Sequence, residues 1–150
     1  MKYFTIAEMI LSRKHWNKIW NKTTPEIEQN LTALGDAVLD PLREKWGKPI
    51  VVSSGYRCPA INRAENGVNN SQHLKGEAAD IVADNTRENV RMGRMLVGMG
   101  RSFDQVIFEN CNTAMTEAEW IHVSYKRVGT NRRQVLRLVK GSKNYELIKI

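Results

Sequence analysis

The chain carries three histidines, His15, His73 and His122, and two of them sit in unusual chemical company. His73 belongs to the polar run Ser71-Gln72-His73-Leu74-Lys75-Gly76, which leads through Glu77, Ala78 and Ala79 to Asp80. Gly76 permits a sharp backbone turn that can bring His73 back beside Asp80, and the two alanines leave room next to the carboxylate. A carboxylate placed between Ala79 and Ile81 in a strand is costly to bury without a cation or donors, so a partner is required there. His122 belongs to Trp120-Ile121-His122-Val123-Ser124-Tyr125. Strand alternation puts Trp120, His122 and Ser124 on one face and Ile121, Val123 and Tyr125 on the other. Each piece alone is equally an ordinary hydrogen-bonded strand residue. Together, two neutral imidazoles and a carboxylate make a three-ligand set suited to zinc, with a fourth position open to water, as in catalytic rather than structural sites.

The seven-residue step from His73 to Asp80, followed much later by Glu119-Trp120-Ile121-His122, resembles the zinc peptidases of bacterial cell walls. That group, often called LAS, includes D-alanyl-D-alanine carboxypeptidases, D-alanyl-D-alanine dipeptidases and phage L-alanyl-D-glutamate endopeptidases. The likeness extends to Ser53-Ser54-Gly55-Tyr56-Arg57-Cys58-Pro59 and covers residues 30 to 125 or so, with the segments in family order. It implies a Hedgehog/DD-peptidase-like fold, in which a small antiparallel sheet flanked by helices carries zinc in an open cleft. It also implies that His73, Asp80 and His122 ligate Zn2+, and that Glu119 takes a proton from the attacking water and hands it to the leaving amine. Arg57 matches a basic residue that stabilises substrate or the developing oxyanion.

Positions three apart in a flat strand face opposite ways, so Glu119 reaches the metal only from a turn or bulge before the strand proper. Glu109 is a rival for the same role, and Glu117 a weaker third. Arg57 is equally able to brace its turn through a salt bridge. Cys58 reads as a small buried packing residue and His15 as a surface residue.

The elements that must position these groups can be read from periodicity and caps. Thr5 with Glu8 forms a capping box for a short first helix. Trp16, Ile19 and Trp20 are expected to anchor the polar stretch after it. Thr24 before Pro25 starts a long core helix carrying Ile27, Leu31, Leu34, Val38, Leu42 and Trp46, which Pro41 should kink or split and Gly47 should end. A short strand over Ile50 to Ser53, a short helix over Pro59 to Ala64, and a strand over Ala78 to Val82 follow. Asn85 with Glu88 caps a further helix, and strands are expected at Gln105 to Phe108, Trp120 to Tyr125, Gln134 to Val139 and near Tyr145 to Ile148. Helices early and strands late favour an α+β domain on an antiparallel sheet over βαβ units.

At 150 residues the chain is expected to form one domain, and 41% hydrophobic with 26% charged residues excludes disordered and fibrous classes. No apolar run has the length of a membrane span, and Glu8 interrupts the first hydrophobic stretch before it could serve as a signal core. Two cysteines and no CxxC exclude a disulfide scaffold or thiolate zinc site and favour a reducing compartment. The excess of 23 Lys and Arg over 16 Asp and Glu resides in Lys126, Arg127, Arg132, Arg133, Arg137, Lys140 and Lys143. Such a segment either attracts a polyanion, a bacterial wall included, or is simply a solvated basic face. No nucleic-acid-binding motif accompanies it, so no specific nucleic-acid partner is expected. The expectation is a monomeric zinc peptidase acting on peptidoglycan stem peptides, resembling a phage or prophage endolysin held in the cytoplasm until released to the wall. The alternative is a non-catalytic zinc module that binds wall peptides or a protein partner.

Overall fold

A computed structural model of the chain describes residues 1–15 and 18–150. The first helix, α1 (Ile6–Ile10), begins at Thr5, whose Oγ1 accepts the Glu8 N–H at 3.2 Å as the capping box requires. Thr24 caps α2 (Pro25–Leu34) in the same way through the Ile27 N–H. The helical path then runs through a π turn over Gly35–Leu39 into α3 (Asp40–Trp46), which Gly47 ends in the left-handed conformation. Pro41 does not break the path. It has no N–H for the Ala37 carbonyl, the Asp40 N–H bonds Gly35 instead, and the Arg101 Nε–H satisfies the freed Ala37 oxygen at 2.8 Å. Of the three expected anchors, Ile19 packs against the core and Trp20 is 81% exposed, while Trp16 lies outside the described residues.

Beyond these helices come β1 (Val51–Ser54), α4 (Pro59–Ala64), a 3-10 turn over Gln72–Lys75, β2 (Ala78–Val82), α5 (Thr86–Gly98), β3 (Gln105–Cys111), β4 (Trp120–Ser124), β5 (Gln134–Val139) and β6 (Glu146–Leu147). The strands form one six-stranded sheet in the order β1-β2-β4-β3-β5-β6. This α+β sheet is mixed rather than purely antiparallel, because β5 lies parallel to β3. The segment after β4 passes across the start of β3, where Arg133 and Gln134 N–H groups bond the Phe103 and Asp104 carbonyls, and so β5 enters on the far side of β3. No described helix is long and apolar enough to cross a membrane.

One face of the sheet is dry. Ala79, Ile81, Val106, Phe108, Ile121 and Val123 are buried there in one cluster with Leu31, Leu34, Val38, Leu39 and Leu42 of the long helical path and Val90, Met92 and Leu96 of α5. The other face carries the polar members of the same alternating strands, and that is where chemistry can occur.

The basic segment after β4 is largely a brace. The Arg127 Nε–H donates to Asn30, the Arg133 guanidinium donates to the Val97 and Arg101 carbonyls, and that of Arg137 reaches the Thr113 carbonyl and Glu146. Arg132 meets the fully buried Asp104 through two charge-assisted bonds of 3.0 and 2.7 Å. Burial by itself would raise the Asp104 pKa, but the Arg132 hydrogen bonds and charge outweigh it and hold it down to about 2. Asp104→Asn is expected to destabilise the fold by about 2–4 kcal/mol at neutral pH, seen as a lower denaturant midpoint with unchanged slope. Because the folded pKa lies below the unfolded one, the native contribution is present above the unfolded value and lost as pH falls towards 2. Stability of the Asn variant should therefore vary less across that acid window, and an unchanged midpoint at pH 7 would remove Asp104 from the brace.

Candidate active site

The sheet register assembles most of the site. Asp80 on β2 pairs with His122 on β4, His122 with Ile107 on β3, and Ile107 with Leu136 on β5. Cross-strand partners share a face, so this row crosses the wet side of the sheet. Trp120 and Glu109 form the next pair along, and Ser124 and Gln105 the pair on the other side.

His73 arrives from outside the sheet. Ser71 caps the 3-10 turn, its Oγ accepting the His73 N–H at 3.2 Å, and Gly76 closes it at φ 71°, a conformation that strains any residue with a Cβ. The His73 backbone carbonyl accepts the Arg57 N–H at 3.0 Å, and its Nδ1 lies 2.7 Å from the Gly55 carbonyl. Gly55 can present that carbonyl because its backbone runs against Met9, where a Cβ would sit 2.0 Å from the Met9 oxygen. A carbonyl only accepts, so Nδ1 carries a proton, and the Nε2 side, which faces Asp80, is the one a metal ion takes in exchange for the ring's other proton.

His73 Nε2 lies 3.3 Å from Asp80 Oδ1, and His122 Nδ1 lies 3.1 Å from the same oxygen. The two rings are edge-on, with centroids 5.1 Å apart. Burial alone would raise the Asp80 pKa, but the facing imidazoles more than offset it and keep the carboxyl well below its usual range. One donor atom from each of His73, Asp80 and His122 falls within 4.8 Å of the others. This set fits zinc: two imidazole nitrogens and a carboxylate oxygen are its preferred donors, and ligands ~2.0–2.1 Å from a tetrahedral centre stand ~3.3 Å apart.

The cluster lies at the floor of a cleft of about 670 Å³. Its lining comes from Arg57 and loop residues 65–68 and 70–72, and from Gln105, Ile107, Glu109, Trp120, Arg132, Leu136, Leu138 and Tyr145. The two rival carboxylates separate clearly. Glu119 sits in a bend just before β4, and its N–H bonds the Glu109 carbonyl where Asn110, at φ 47°, steps the chain out of the ladder register; even so, its side chain is not among those lining the cleft. Its carboxylate is held by Lys140 at 2.8 Å and Asn110 at 3.0 Å, contacts that lower its pKa. Glu109, opposite Trp120, faces the cleft; it is buried, its Oε1 has no partner, and burial raises its pKa. Glu117 bonds Thr86 instead.

Arg57 lines the cleft with its Nη2 3.4 Å from Ser71 Oγ, while its buried Nε has no partner. Trp120 Nε1 is likewise buried without an acceptor. Cys58 is buried and unpaired, and its N–H bonds the Asn21 side chain at the start of α4. His15 is not on open surface: it is half-buried, with Nε2 3.3 Å from Glu65 Oε1. Sequence reasoning passed over Tyr145, Leu136 and Leu138. They reach the cleft only because β5 docks beside β3, a long-range pairing that leaves no local pattern.

A sheet face presenting a His-Asp-His cluster and a buried acid in an open cleft defines the class of zinc-type hydrolases. The model of the peptidase M15 family matches residues 2–124, and the chain belongs to that family. Its members are typically zinc-dependent peptidases, with which the donor set agrees. No curated protein matches the chain.

Proposed function

We propose that this chain is a zinc peptidase of bacterial peptidoglycan, cutting stem peptides at a D-Ala-D-Ala or L-Ala-D-Glu bond with water as nucleophile. The observation that carries the reading is the His73, Asp80 and His122 cluster on the floor of an open cleft beside a buried carboxylate with one oxygen free. When bound by those three side chains, zinc supplies Lewis acidity that makes water nucleophilic near neutral pH and polarises a peptide carbonyl. Glu109 takes the water's proton on Oε1 and returns it to the departing amine nitrogen. Its burial suits the task, because raising the carboxyl's pKa makes the carboxylate a stronger base towards water and moves it nearer the working pH, where accepting a proton and returning it are better balanced. Arg57 offers a fixed positive charge to the carbonyl oxygen as negative charge develops on it. The Gly55 carbonyl keeps His73 in the tautomer that ligates. In this reading the chain acts as a monomeric single domain and meets the wall after release from the cell that makes it, as an endolysin does.

Digestion of defined muropeptides by the zinc-loaded protein tests the reading, because product masses report activity and bond together. Hydrolysis should vanish on thorough chelation and return with zinc. Hydrolysis that survives chelation would refute the metal's role. Zinc binding without any fragment release would leave the non-catalytic module instead.

A further inference from the structure

We propose that Tyr145 is a positioning residue for Glu109, and that the chain from β5 to β6 is built to deliver it as a working wall of the cleft. The inference rests on the reading of Glu109 as the base. Tyr145 lies beyond residues 2–124, the part matched by the family. Its hydroxyl stands 3.4 Å from Glu109 Oε2, while Oε1 of the same carboxylate is buried and has no partner. A carboxylate with neither oxygen held can rotate about its last bond. Donation from the tyrosine to Oε2 leaves Oε1, which no donor of the fold holds, as the unengaged acceptor of the carboxylate. The contact is longer than most hydroxyl–carboxylate bonds, as catalytic contacts often are before substrate binds.

The approach of Tyr145 is determined by the chain around it. Gly141 turns at φ 88°, the Ser142 N–H bonds the Val139 carbonyl, and the Ser142 hydroxyl accepts the Asn144 N–H at 3.1 Å. Past Tyr145, β6 pairs Glu146 with Arg137 and Leu147 with Leu136, and the Ile148 N–H bonds the Val135 carbonyl. The ring is half-exposed, so packing alone does not account for where its hydroxyl ends. Burial and the neighbouring Glu109 charge raise the hydroxyl's pKa, so it stays a donor through the neutral range.

Tyr145→Phe, Glu109→Gln and the double variant, each zinc-loaded and assayed on a defined muropeptide, test the proposal. Tyr145→Phe should lower kcat about 3- to 10-fold, the worth of one hydrogen bond, with KM within about 2-fold and zinc content and Tm unchanged. In the Glu109→Gln background the same change should cost nothing more. A second readout needs no turnover. In metal-free protein with 13C-labelled tyrosine, the Tyr145 Cζ resonance, assigned by its loss in Tyr145→Phe, should move in Glu109→Gln and stay in Glu119→Gln. Wild-type kcat in Tyr145→Phe, a change in KM alone, multiplicative losses in the double variant, or an unmoved resonance each overturns the proposal while leaving Glu109 as base. Full turnover in Glu109→Gln overturns the underlying reading instead.

Discussion

Glu109→Gln should reduce muropeptide turnover about 10²- to 10⁴-fold, the usual worth of a positioned general base, while leaving zinc content and melting temperature near wild type. The amide has nearly the shape of the carboxylate and keeps an acceptor for Tyr145, but it cannot carry the proton from water to the leaving nitrogen. Glu119→Gln should behave oppositely. Its carboxylate is engaged by Lys140 and Asn110 and is not part of the cleft lining, so turnover should stay within about 2-fold, with about 0–1 kcal/mol of stability lost for a solvent-facing pair. Steady-state kinetics on both variants, with zinc measured in the same samples, decides between the two acids. An active Glu109 variant beside an inactive Glu119 variant would restore the role to Glu119 and require the β4 entry to rearrange on binding.

Removing one metal ligand is the second large effect. A structural zinc site is worth ~10–16 kcal/mol over its whole ligand set, so losing one side chain of three should weaken binding by ~3–5 kcal/mol, or ~10²- to 10⁴-fold. Asp80→Ala and His122→Ala should therefore emerge from dialysis without zinc and without hydrolysis. The rise in Tm that zinc gives the wild type, expected from ligand binding to the native state alone, should disappear in both. Competition with a chromophoric chelator measures the affinities directly. Affinity within a few-fold of wild type in either variant would mean that the cluster is not the metal centre, however close its atoms lie.

The local elements of this protein were legible in its linear pattern because the forces behind them act over a few residues. Thr5, Thr24 and Asn85 announce helix starts because each hydroxyl or amide oxygen accepts an N–H three residues on. The alternation in Trp120 to Tyr125 already separated a wet face from a dry one, since side chains in a strand point up and down by turns. The same rule carried the doubt about Glu119, whose parity with Ile121 and Val123 sets it against His122. Chain order could not tell which edge of β3 would receive β5. A hairpin from β4 and a crossing past β3 have the same local preferences and differ only in contacts made far along the chain. That placement makes the sheet mixed and brings Leu136, Leu138 and Tyr145 to the cleft. It also accounts for the basic run, whose charges mostly answer carbonyls and carboxylates elsewhere in the fold. Convergence of His73 on Asp80 lies between these extremes. Gly76 permits the turn locally, but the distance closes because the Gly55 carbonyl and the Arg57 N–H, packed beside Met9, hold the turn from the other side.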